Sequence, residues 1–127
     1  RYAAQNPRRS AVLPVAVLAS YVQRTYITSM SGLDFEWDPR KAALNRRKHG
    51  VSFDEAATAF ADEQALVLAD PDHSDREDRF VLLGLSAALR ILVVVHCYRE
   101  GETVIRLISA RRADPTEQHQ YDERWHR

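Results

Sequence analysis

The polar and apolar positions fall into two regimes with a change of period near residue 64. From Leu33, the segment LDFEW (33–37) alternates as a short strand. Asp38 then stands where a helix cap is wanted, with Pro39 at the first helical position and Gly50 as a stop, which predicts a helix over 38–49. A second helix, 52–61, starts at once, with Ser52 and Glu55 in capping-box spacing and Phe53, Ala56, Ala57 and Phe60 on one stripe. Beyond it the runs ALVLA (65–69), RFVLLGL (79–85), LRILVVVHCY (89–98) and TVIRLISA (103–110) are rich in branched aliphatics. Turn-like PDHSDRED, SAA and REGE separate them, as in an antiparallel meander. Asp114, Pro115 and Glu117 open a closing helix that runs to about Trp125. The order β-α-α-β-β-β-β-α predicts an α+β fold of two layers, with helices on one face of a twisted sheet.

A two-residue turn at Glu100-Gly101 would pair residues whose numbers sum to 201 and so set the faces of the last hairpin. Arg90, His96, Tyr98, Ser109 and Arg111 then share one face; Val93, Val95, Cys97, Ile108 and Arg106 share the other. Arg106 and Arg111 are five positions apart, so a regular strand separates them unless a bulge intervenes.

Composition alters this picture in one respect. The 127 residues carry 18 basic and 18 acidic side chains, enough for one compact domain and too balanced for an evenly basic nucleic-acid binder. Residues 1–29 hold four arginines and no acid, leaving residues 30–127 with 14 basic against 18 acidic groups, a net charge near −4. Such a body meets phosphate only through a local cluster of cations. Residues 1–29, with Arg8-Arg9 ahead of AVLPVAVLAS, resemble a short signal peptide or an upstream extension; we expect the native domain to be 30–127, beginning at Met30. The lone Cys97 in an apolar run fits a buried reduced thiol and an intracellular setting.

Generic catalytic motifs are missing: there is no Gly-rich phosphate loop, HExxH, CxxC pair or nucleophile elbow. The histidines at 49, 73, 96, 119 and 126 form no compact ligand set, and the acidic loop Asp70, Asp72, Asp75, Glu77, Asp78 lacks EF-hand spacing, so no metal or other cofactor is expected. Arg46, Arg47, Lys48 and His49 crowd the end of the first helix, where cations suit a phosphodiester and are also favoured by the helix macrodipole. His96 among valines reads as a sheet histidine, Tyr98 as a cross-strand partner, Arg106 as a rim residue and Arg79 as a partner of Glu77 or Asp78.

The stretches FEWDPRKAALNRRKHGVSFDEAATAF, DPDHSDREDRFVLLGLS and VIRLISARRADPTE together resemble the BrnT family of bacterial type II toxins, from Leu33 to about Tyr121. The blocks WDPxKxxxNxxKHGVSF and ISARxA carry the resemblance. It implies a RelE-like fold and a small metal-independent endoribonuclease that cleaves cellular RNA and arrests growth in the cytoplasm. It also implies a ribbon-helix-helix antitoxin of the BrnA type, with operator DNA touched only through that antitoxin and no membrane involved. Lys48, His49, Arg79, Arg106 and Arg111 carry over as catalytic candidates, with Arg46, Arg47, Tyr98 and Arg112 as RNA-binding ones. Trp37 and Phe53 are expected to seal helix against sheet, Asn45 to brace the corner between helices, and Glu117 either to cap its helix or to pair with Arg111 or Arg112. A catalytically silent partner and co-repressor of a DNA-binding antitoxin is the competing reading.

Overall fold

The structure, a computed structural model, describes residues 33–70, 78–99 and 103–124. The expected extension 1–29, most of the acidic loop, the Glu100-Gly101 turn and Trp125 lie outside them. The described chain forms β1 (Asp34–Glu36), α1 (Pro39–His49), α2 (Phe53–Thr58) continued by a 3-10 turn (Ala59–Ala61), β2 (Leu66–Ala69), β3 (Phe80–Leu85), β4 (Ile91–Arg99), β5 (Val104–Arg112) and α3 (Pro115–Glu123). The helix starts follow the caps read from the sequence. Asp38 accepts from the Arg40 amide, Ser52 from the Glu55 amide, and Asp114 and Glu117 form a reciprocal capping box. Gly50 ends α1 in the left-handed region at φ 72°, and its amide donates to the Arg46 carbonyl.

The fold is α+β around a five-stranded mixed sheet in the order β1-β5-β4-β3-β2. Strands β2 to β5 make the expected antiparallel meander, and β1 adds to the free side of β5 in parallel, Asp34 to Glu36 against Val104 to Arg106. The single-face expectation for the helices needs correction. Phe35, Phe53, Phe60, Leu82, Leu92, Val94, Ile105, Leu107 and Ala110 form the main core with α1 and α2. A second cluster on the other face holds Val81, Leu83, Val93 and Ala113 with Tyr121 of α3. The sheet is therefore covered on both sides, because its strands alternate two apolar sets instead of one. Asp62 anchors α3 from below the sheet: its carboxylate accepts from the Tyr121 hydroxyl at 2.7 Å and the Leu85 amide at 2.8 Å.

The hairpin register is also corrected. Arg99 opposes Val104 and Tyr98 opposes Ile105, so the connection is four residues long, not two. Between Val95 and His96 the register shifts: His96 faces Leu107, whereas Val95 faces Ser109. Ile108 is the extra residue of a β-bulge, which reverses the facing of everything after it. Arg106, opposite Cys97, and Arg111, opposite Val93, thus lie on the same face, and Ser109 and Arg111 leave the His96 side to which the two-residue turn assigned them.

Candidate functional site

The basic end of α1 is held in place by an unusual anchor. Asn45 is the buried residue of this helix. Its Nδ2 donates to the carbonyls of Ala110 (2.8 Å) and Val51 (3.0 Å), and its Oδ1 accepts from the Ala110 amide (3.1 Å). β1 covers β5 only as far as Arg106, so these Ala110 groups belong to the stretch of β5 that β1 leaves open. The amide of Asn45 supplies the partners that a longer β1 would have supplied. It braces the corner to Val51, as expected, and it also brings Arg46-Arg47-Lys48-His49 level with the Ser109–Arg112 segment. Arg46, Arg47 and Lys48 are exposed and His49 half-buried.

A further cation joins this corner. Arg90, in the β3–β4 turn, donates through Nε to Glu55 at 2.9 Å, makes a second bond to the same carboxylate, and reaches the Gly50 carbonyl at 3.2 Å. Glu55 also accepts from the Ser86 hydroxyl at 2.7 Å. The Arg90 guanidinium holds the Glu55 carboxyl below the usual carboxylate range, with Arg112 adding to the effect. Glu55 thus serves Arg90 and Ser86 in place of the reciprocal cap its spacing suggested. Sequence reasoning gave Arg90 and Glu55 no part in the site. The one available signal was the even position of Arg90 on the face of Leu92, toward the helices. With Arg90 and Arg112 beside the α1 end and Glu55 already bonded, the corner is strongly positive.

The other candidates divide. Arg111 shares the end of β5 with this corner but faces the α3 side, where Glu117 takes it in a two-pronged pair at 2.9 and 2.8 Å. Glu117 therefore caps its helix and pairs with Arg111 at once, and Arg111 holds its carboxyl below the usual range. Arg106 lies four β4 positions away, about 13 Å along the sheet, and its Nη1 donates to Glu36 at 2.7 Å. Arg99 approaches the same carboxylate at 3.9 Å. Arg79, half-buried just before β3, falls by strand alternation on the face of Val81, in line with Cys97 and Arg106. Tyr98 stacks against Phe80 and His96 on the opposite face. The fold thus gathers Arg46, Arg47, Lys48, His49 and Arg112 at one end of the sheet, puts Arg111 at the same end but on the opposite, α3-covered face, and sets Arg79, Arg106 and Tyr98 toward the other end.

His96 is wholly buried between Phe60 and Phe80, with its Nδ1 3.2 Å from the Val94 carbonyl and its Nε2 without a partner. Burial holds its imidazole down to about 4, so it is neutral at pH 7 and belongs to the core. Among the described residues no group of three or more His, Cys, Asp and Glu is placed to hold a metal ion. No described helix is long and apolar enough to cross a membrane.

The family model described as "Ribonuclease toxin, BrnT, of type II toxin-antitoxin system" matches residues 37–117, which include α1, the Arg90 corner and β5. No curated protein matches. Among solved structures, that of the ribonuclease toxin BrnT of Brucella abortus is 24% identical, covering 65% of this chain and 97% of that one, with a TM-score of 0.48.

Proposed function

Because the chain belongs to the BrnT family of ribonuclease toxins of type II toxin-antitoxin systems, we propose that residues 30–127 are a RelE-like, metal-independent endoribonuclease. It acts on cellular RNA in the cytoplasm and arrests growth. The observation that carries this reading is the Asn45–Ala110 junction, which sets the cationic end of α1 beside the arginine-bearing end of β5. In the reaction the ribose 2′-oxygen attacks the adjacent phosphorus as its proton passes to a base. The 5′-oxygen leaves with a proton from an acid, giving a 2′,3′-cyclic phosphate and a 5′-hydroxyl. His49 is the acid/base candidate at this corner, its two ring nitrogens able to take up and give back a proton. Lys48 stabilises the charged phosphorane; Arg46, Arg47 and Arg112 bind flanking phosphates, and Arg111, on the α3 face of the same strand end, adds its charge only by leaving Glu117. Arg79 and Arg106, on one face toward the other end of the sheet, contact the continuing strand, with Tyr98 an RNA-binding candidate on the opposite face beside Phe80.

The neutralising partner is a BrnA-like ribbon-helix-helix antitoxin, through which alone the complex reaches operator DNA. The body's net charge near −4 suits a basic partner. The test is cleavage of RNA by the pure protein in EDTA, with 5′-hydroxyl ends. Lys48→Ala is expected to slow it about 100- to 1000-fold at an unchanged thermal midpoint. Absence of cleavage, or its abolition by EDTA, refutes the reading. One observation favours the catalytically silent alternative: Arg106 and Arg111 are each already bonded to a carboxylate, so phosphate must displace Glu36 and Glu117 to reach them.

A further inference from the structure

The outward side of α1 carries a charge pattern that the helix does not need for its own stability. Arg40, Lys41, Leu44, Arg47 and Lys48 are all exposed. At 100° per residue they occupy one arc of about 120°, with Ala42 on the opposite side of the helix. Arg40 and Arg47, and likewise Lys41 and Lys48, stand seven residues apart. That is two turns, or about 10.5 Å along the axis. The macrodipole accounts for Arg46, Arg47, Lys48 and His49 in the last turn. It opposes Arg40 and Lys41, which sit in the first turn, where no acidic residue is present. A merely solvated helix face would mix signs at i,i+4 spacing; this helix, PRKAALNRRKH, contains no acid at all.

We infer that this face is a track for the backbone of single-stranded RNA. The strand leaves the Lys48-His49 corner and runs toward the N-terminal end of α1, with Arg40 and Lys41 binding phosphates beyond the scissile one. The inference rests on the ribonuclease reading and adds to it a substrate longer than a dinucleotide and two residues assigned no role so far. RNA is favoured over an acidic protein because the two cation pairs, two turns apart with exposed Leu44 between them, lead into the proposed reacting corner. In a body with net charge near −4, phosphate is held only where cations are gathered.

The experiment compares the full chain with Arg40→Gln/Lys41→Gln, whose exposed changes leave the core untouched. Binding of a fluorescein-labelled 12-nucleotide oligouridine is read by polarisation across a salt series, and cleavage of that 12-mer is compared with cleavage of UpU. The variant is expected to bind the 12-mer roughly 10-fold more weakly and to lose about 1.4 from the log–log salt slope, at about 0.7 per phosphate contact on a single strand. Its KM for the 12-mer rises with kcat unchanged, and its UpU cleavage equals the wild type's. Equal binding and equal salt slope in the two proteins overturn the inference, as does a loss confined to binding of an acidic polypeptide such as polyglutamate. Wild-type protein that binds the 12-mer with these slopes but cuts nothing overturns the ribonuclease reading and leaves the track standing.

Discussion

Asn45 and Ala110 exchange two hydrogen bonds in which a side-chain amide takes the place of a neighbouring strand. The contact spans 65 residues of sequence and fixes a helix that buries only that one side chain. It is accordingly both the anchor of α1 and the means by which the basic corner is assembled.

Asn45→Ala strips the Ala110 amide and carbonyl and the Val51 carbonyl of a partner. Each buried group left unsatisfied costs about 1–3 kcal/mol, so we expect a loss of about 3 kcal/mol or more, read as a lower urea midpoint. Asn45→Asp, which keeps the acceptor and loses both donor bonds, is expected to be nearly as damaging. Stability within 0.5 kcal/mol of wild type (roughly the spread of neutral surface substitutions) contradicts the anchoring role.

His96 makes stability fall on mild acidification. Its folded pKa of about 4 lies below the ordinary 6.5, so between these values the unfolded chain binds the extra proton. Stability is complete above about 6.5 and declines as pH falls toward 4, at up to about 1.4 kcal/mol per pH unit. The groups packed on this ring are Phe60, Phe80 and Tyr98, none of which is charged in that range. In His96→Leu the slope between pH 6.5 and 4.5 is expected to vanish in urea titrations; persistence of the full slope places its source elsewhere.

Glu55 and Glu117 act in a lower window. Both carboxyls are held below 4.5 by their arginines, Arg90 and Arg111. Their contribution is full above the ordinary value and is lost as pH drops through the lowered folded values. Glu55→Gln is expected to flatten the acid limb below pH 4.5 without changing the His96 slope above it, which acid titration of the single and double variants separates.

Arg111 is half-exposed where it meets Glu117, so the pair itself is worth about 1 kcal/mol or less. If Arg111 also stabilises the phosphorane, Arg111→Ala costs 100- to 1000-fold in cleavage, out of proportion to its effect on folding. A rate loss matched by an equal loss of thermal midpoint in Glu117→Ala marks the arginine as a strut for α3 alone.

Gly84 is required by close packing. A Cβ there would stand 3.1 Å from the Ala59 carbonyl oxygen and from the Ala65 Cβ, and 3.0 Å from Leu82 Cδ2. Backbone on one side leaves little room to yield, and Gly84→Ala is expected to destabilise by about 1–3 kcal/mol, measured by thermal unfolding.

Local chemistry was readable in the sequence wherever a feature depends on adjacent residues. Asp38-Pro39 and Gly50 bounded α1, Asp114, Pro115 and Glu117 opened α3, and the aliphatic runs located β2 to β5 to within two residues. The features missed depend on distant partners. A three-residue β1 carries no mark of its parallel pairing with β5. The extra residue at Ile108 sits in an unbroken apolar run, and that single insertion decides on which face Arg111 emerges. Helix α3 buries little besides Tyr121, too small a signal to announce that it covers the second face. Of the site, the KH and SAR motifs were visible as residues; Arg90 and Glu55 meet across 35 positions and became visible only in three dimensions.

The parallel pairing of β1 with β5 has a consequence for synthesis. Glu36, among the earliest described residues, bonds to Arg106, 70 positions later, and Asn45 waits for Ala110. A nascent chain cannot complete this sheet until β5 has left the ribosome, so a polypeptide ended prematurely before that strand has neither its edge nor its basic corner. A chain built in this order has no basic corner until β5 itself has been made.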